Sequence, residues 1–308
     1  IDNKLQDLVG SSLKKQAEKK TVPINAVKNL GFNQKQPPFT LDLAGSASVN
    51  LSKVTTAAEM KGANVTLTKN AASPAAMKNL TVSAQDSSFT GAWGGALAVT
   101  WKTTTKSQNE DSANAGIAGA ASVNVQRHRD VLALMSDNRI KGADSIENVA
   151  VQKGATVAAA LGLSVMKTSG KTVTSTAAPV SLTYNEGGSV TTAQMRDNYV
   201  NAAADGSVLA GAQKTALSNR AVSSNTQVSG GVSAGLVFGS KSSNAVGAVV
   251  AVSNLRNDVH ADITQTRKDT GALRNIGALT NEAVSGMTQI GAAIGVGAAS
   301  GSKHAAAV

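Results

Sequence analysis

The sequence predicts an all-β chain wound as a β-helix, a tall stack of thin rungs, behind a short N-terminal helical segment. Three observations predict it. Four ordered landmarks recur four times along the 308 residues, the core-forming residues are small, and short β-branched segments alternate with polar loops of very different lengths. Self-similarity at a regular period marks a repeat architecture, in which each unit buries its apolar face only against the next.

All four landmarks occur between Ala245 and Ser300. A small apolar run, AVGAVVAVSN, closes on Asn254. Ala261 and Ile263 follow, then Asn281 with Ala283 and Val284, then GAAIGVGAA from Gly291. The earlier closing asparagines are Asn50, Asn124 and Asn185, and the spacings up to Asn254 are 74, 61 and 69 residues. Ala58 with Met60, Ala133 with Met135 and Ala193 with Met195 match Ala261 with Ile263. Asn79, Asn148 and Asn219 match Asn281 at spacings of 69, 71 and 62, and GGALAVTW from Gly94, AALGLSV from Ala159 and GVSAGLVFG from Gly231 match the last run. A β-helix rung of about 20 to 25 residues puts roughly three rungs in each period. The closing asparagines are expected at corners, since asparagine tolerates left-handed backbone; stacked in register their amides ladder, here with interruptions.

Composition favours a narrow tube. There are 29 Gly, two Trp, two Tyr, four Phe and no Cys, and 42% of positions are hydrophobic. A core so poor in rings is built from Ala, Val, Leu and Ile, which stack one above another in a solenoid. Absence of Cys excludes a disulfide scaffold and a thiolate metal site. Only 16% of residues are charged, so Ser, Thr, Asn and Gln make up much of the surface, and the surplus of 29 basic over 19 acidic residues attracts polyanions. The basic residues are dispersed apart from KKQAEKK, Lys14 to Lys20, which reads as a solvated helix face.

In chain order, Leu5, Leu8, Val9 and Leu13 fall at helical spacing, and Pro23, Gly31, Pro37 and Pro38 then mark a linker. Residues 1–38 are therefore read as an N-terminal helix and linker, a cap for the solenoid, and residues 39–308 as the β-helix. The chain starts at Ile1 without Met or an apolar leader, which leads us to expect an excised piece. The longest apolar stretches, about ten residues, are too short for a membrane helix. Transmembrane strands need only that length, but the few rings cannot furnish the aromatic girdles of a barrel. From Phe39 on, segments such as LAVTW, NVAVQ and VVAVS read as strands, while TTTKSQNEDSAN from Thr103, QRHRD from Gln126 and GSKSSN from Gly239 read as loops. Runs such as AGIAG and GAWGG lack the Lys and Ser or Thr of a phosphate loop, so their glycines read as close sheet packing.

Catalytic patterns are scarce. The histidines are His128, His260 and His304; no GxSxG occurs, and no metal ligand set or cofactor is read from the sequence. Glu110 with Asp111, or Asp258 with Asp262, are the carboxylate pairs a polysaccharide hydrolase would use, and each reads more simply as solvated charge. The binding candidates are Arg127, His128, Arg129, Arg256 and His260, which follow the first landmark in two repeats and are expected to project from one edge.

The recurrent order of a small apolar run, a charged step, an A-x-M or A-x-I strand and a GAAIGVG-like run resembles the passenger regions of type V secreted bacterial autotransporters and related filamentous adhesins, over about residues 39–308. The resemblance implies a right-handed parallel β-helix, exported by a Gram-negative bacterium and displayed at its surface, that serves attachment, self-aggregation or biofilm without being an enzyme. The partners implied are surface glycans or proteins, anionic polymers and further copies of itself. This sequence departs from the pattern in having no translocator barrel and no RGD, and its third repeat, NEGGSVTTAQM, is degenerate. A secreted cytotoxin or haemolysin on the same scaffold and a polysaccharide-degrading β-helix enzyme are the alternatives.

Overall fold

Strict alternation of inward and outward residues governs the long segments. Over the 24 residues from Thr215 to Phe238 every second side chain is buried and every other one reaches solvent, the two-residue period of a strand. The computed structural model describes residues 39–69, 77–103, 112–169, 173–239, 242–265, 272–300 and 306–307. The helix expected from Leu5, Leu8, Val9 and Leu13, and the linker after it, lie outside the described residues. Among the described residues all regular structure is β.

The chain makes four similar circuits. The first runs through β1 (Phe39–Lys61), β2 (Asn64–Thr66), β3 (Asn79–Asp86) and β4 (Phe89–Thr103). The second comprises β5 (Ser112–Ser136), β6 (Arg139–Lys141) and β7 (Ser145–Ser169). The third has β8 (Val173–Ala177), β9 (Val180–Arg196), β10 (Tyr199–Val200) and β11 (Thr215–Phe238). The fourth has β12 (Ser242–Thr264), β13 (Ala272–Leu273) and β14 (Ile276–Ala299), after which β15 (Ala306–Ala307) rejoins the first sheet. Pairing between these strands is parallel: β1, β5, β8 with β9, and β12 form the first sheet; β2, β6, β10 and β13 the short second; β3 with β4, β7, β11 and β14 the third. Stacked parallel sheets visited in this order are consistent with a β-helix. Proline supplies no N–H to a ladder, and Pro179 separates β8 from β9.

One circuit occupies a whole sequence period, which corrects the expected rung of 20 to 25 residues. Each long strand alone runs to that length, as β5 and β7 do with 25 residues apiece. The second landmark stacks without slip: Ala58, Ala133, Ala193 and Ala261 are register partners, as are Met60, Met135, Met195 and Ile263. The closing asparagines are mid-strand instead of turning corners; Asn50, Asn124 and Asn185 point inward, and Asn254 faces outward. Asn50 donates to Asn124 at 3.0 Å and Asn124 to Asn185 at 3.2 Å, an unbroken ladder over three circuits. Asn254 departs from it, pairing in register with Glu186. A second ladder runs from Asn148 to Asn219 to Asn281, each step 2.8 Å, and Asn79 falls outside it opposite Ser145. Corners are made by other residues. Gly62, Asp137 and Asp197 adopt left-handed φ of 63°, 56° and 54°, and a third ladder, Asn138 to Asn198 at 2.9 Å, lies one residue on.

The space between the long sheets changes along the strands. In the halves next to the short sheet, Met135, Met195, Ile140, Ile146, Val200 and Leu217 form an apolar cluster, backed by a layer of alanines that includes Ala133, Ala150, Ala193 and Ala221. Removing such a side chain from water contributes about 1.5–3 kcal/mol for a Met or Ile. In the far halves the interior is mainly Ser, Gly and Ala. Ser122 Oγ donates to Ala92 O, Ser181 to Val232 O and Ser233 to Pro179 O, each at 2.6 Å, and Ser164 to Gly116 O at 2.9 Å. A serine on one sheet reaches a main-chain carbonyl of the other only when the sheets lie well inside the usual spacing of about 10 Å. A Cβ at Gly94 would lie 2.4 Å from Ala121 O, so side chains larger than hydrogen are excluded there. Met166, Val237, Ala177 and Ala245 close the far end.

Candidate functional site

The expected binding residues gather where the two halves meet. Between Leu51 and Lys53, opposite β5, the register slips by one, and the slip recurs between Gln126 and Asp130 opposite β9. This is a β-bulge, one extra residue in β5. QRHRD is therefore strand, not loop. Its consequence is a change of parity: Arg127 and His128 both face outward and Arg129 turns inward. Gly188 lets the bulged backbone approach, since a Cβ there would lie 2.6 Å from Arg127 O.

Arg129, expected on an exposed edge, is 3% exposed. Its guanidinium lies where a Cβ of Gly154 would be, and it pairs with Asp86 and Ser88 of the first circuit. A buried charge with two partners on the facing sheet is a structural clamp. Beside it, Gln152 Oε1 accepts from Ser223 Oγ at 2.7 Å and Asn225 Nδ2 at 2.8 Å. The space lined by Gln126, Gln152, Thr156 and Asn225 is about 10 Å³, room for about one water.

Outside, Arg127 forms a two-pronged pair with Glu186, at 3.0 Å and 3.1 Å, and Tyr184 Oη donates to the same carboxylate at 2.9 Å. Burial pushes the Glu186 carboxyl up, but the bonds from Arg127 and Tyr184 outweigh it and hold it below the usual carboxylate range. The bond to Glu186 raises both Arg127 and Tyr184. Arg256, in register with Gly188, is exposed and pairs with Asp258 at 3.0 Å. His260 is also exposed, but its register partner is Thr192, which aligns with Leu132, so it is not the counterpart of His128. Lys53 is in register with His128. The outer band thus carries Lys53, Arg127, His128 and Arg256 across the stack, with Glu186 and Asp258 among them.

Asp258 and Asp262 both point outward on β12, four residues and so about 13 Å apart along the strand, beyond the separations that paired-carboxylate hydrolysis uses. Glu110, Asp111 and His304 lie outside the described residues. No group of three His, Cys, Asp or Glu side chains is gathered among the described residues, and no helix among them is long and apolar enough to cross a membrane.

Sequence reading missed a shallow groove of about 330 Å³ over the short sheet, between Arg139 with Lys141 and the 202–209 segment. Arg139 stacks on Tyr199 at 5.0 Å. The SDNR and RDNY tetrapeptides that hold its floor, from Ser136 and Arg196, were the available signal. In comparisons with known proteins, no family model matches the chain, and no curated protein and no solved structure matches it.

Proposed function

We propose that this chain is a segment of a bacterial cell-surface adhesin, wound as a right-handed parallel β-helix and displayed outside a Gram-negative outer membrane. It attaches without catalysis, through many weak polar contacts to surface glycans, proteins or other anionic polymers. One observation carries the reading: the outer band at the bulge presents basic side chains on the first, second and fourth circuits, Lys53, Arg127 with His128, and Arg256, and Glu186 stands between them on the third. Contacts repeated at the spacing of stacked strands bind a polymer by avidity, without a deep pocket. The space beside this band that Gln126, Gln152 and Asn225 line has room for about one water. Arg129 belongs to the interior and is not among the contacts.

The test replaces Lys53, Arg127, His128 and Arg256 together by Ala and measures retention on heparin at low salt. Earlier elution with an unchanged circular-dichroism spectrum supports the reading; unchanged retention removes this face as the contact.

A further inference from the structure

We infer that the outer face of the third sheet, over the far halves of β4, β7, β11 and β14, packs against the same face of a second copy of this chain. Apart from Met166 and Val237 at the far end, the large apolar side chains of these strand halves point away from the interior: Trp93 is 63% exposed, Leu97 57% and Ile294 54%, with Leu161, Trp101 and Phe238 also outward. Beneath them lie Gly, Ala and Ser, so this apolar surface does nothing for the fold of a single chain. Among the described side chains of this face the one charge is Lys167, and its ammonium lies over the Trp101 ring at 4.5 Å.

Scattered exposed apolar residues are ordinary, but these are contiguous. Four strands at about 4.8 Å spacing and ten residue steps at about 3.3 Å give a face of about 600 Å², at the upper limit for a monomer. Two such faces bury about 1,200 Å² together, enough for a specific interface.

Relief selects the occupant. Register places Trp93 in a row with Ala159, Gly230 and Ala292, and Gly95 in a row with Leu161, Val232 and Ile294. A two-fold axis parallel to the strands, between β7 and β11, lays β4 over the partner copy's β14. It sets the bulk of Trp93 over the small Ala292 and the bulk of Ile294 over Gly95, an isologous fit in both directions. A bilayer is a poorer occupant. Among the described residues β4 and β14 are the outer strands of this sheet, and main-chain groups without a ladder partner at such edges would enter hydrocarbon unsatisfied. The inference deepens the self-association part of the adhesin reading and rests on it for its biological setting alone.

Sedimentation velocity of the purified chain over a concentration series tests it, with Gly95→Trp and Leu97→Asp beside the wild type. A Cβ at Gly95 meets nothing within 4 Å, so a tryptophan there fits one chain while filling the hollow that takes Ile294 of the other copy. The expected result is a dimer whose dissociation constant rises by about tenfold or more in either variant, since one fills the hollow that takes the other copy's Ile294 and the other sets a charge against an apolar surface. Tryptophan emission of the wild type should shift to the blue with concentration, a readout that needs no variant. A monomer at every concentration with invariant emission overturns the proposal. So does an undiminished dimer in both variants with native circular dichroism, or binding of a monomer to phosphatidylcholine–phosphatidylglycerol vesicles, which assigns the face to lipid. Heparin retention is read separately, so failure of either result leaves the other standing.

Discussion

Next to the short sheet, Met135 and Ile146 are enclosed between the long sheets, while Glu59, Lys61 and Glu147 face outward. At the other end of the same strands Ser164 and Ser233 are enclosed, while Leu97, Leu161 and Ile294 face outward. The first half is stabilised in the usual way, by apolar area removed from water. The second half is held by the Asn50–Asn124–Asn185 ladder and by hydroxyls that reach across to facing carbonyls, and most of its apolar area stays on the surface. The comparison teaches that sheet separation decides which face of an alternating strand is the core. Where Gly, Ala and Ser set a narrow gap there is no room for Leu or Trp, and these take the opposite face.

The boundary between the halves is the Arg129–Asp86 pair, and breaking it should have the largest effect on stability. Asp86→Ala leaves a buried guanidinium unpaired and should cost about 3–5 kcal/mol in urea unfolding, whereas Arg129→Met combined with Asp86→Leu should recover much of the loss. A single and a double variant of equal stability would show that the charge is not buried.

In the apolar half, Met135→Ala opens a cavity and should cost about 2–5 kcal/mol. In the narrow half the opposite change is the harmful one. Gly94→Ala pushes a methyl against Ala121 O and should cost about 1–3 kcal/mol by overpacking. Both are read from denaturation midpoints; a neutral Gly94→Ala would show that the sheets are farther apart than the serine bonds imply.

The smallest effect belongs to the exposed fork at the band. The Glu186 carboxyl is held below its ordinary range in the folded chain, so its contribution is present above the unfolded pKa and is lost as pH falls through the folded one. Stability measured from neutral pH downward should therefore fall across the carboxylate range, and Glu186→Gln should flatten part of that slope. An identical slope in the variant would detach Glu186 from the acid dependence.

Much of this was legible in the residues. The A-x-M and A-x-I pairs stack as spaced because an alanine followed two positions on by a methionine or isoleucine keeps one face of the strand in a constant shape. The asparagines at 50, 124 and 185 likewise announced a shared register, though their place inside a strand was hidden, since Asn is more familiar at turns. The period misled. Strands of 23 to 25 residues are far longer than the usual five or six, so a long unit was read as several rungs. The candidate site was legible only in part. Arg127, His128 and Arg256 do reach one outer band, but a bulge of one residue reverses every side chain after it and carries no local signature.

By itself the sequence determined that the chain is extended and alternating, that four like units are present, and that glycine, alanine and serine crowd one end of each. Those are local properties, set by the side chains along one strand. The tertiary structure decided the rest: that one unit is one circuit, that Arg129 turns inward to meet an aspartate 43 residues away, and that tryptophan lies outside serine. Each of these depends on what the opposite sheet presents across the gap, and a strand acquires an inside only when a second one closes over it.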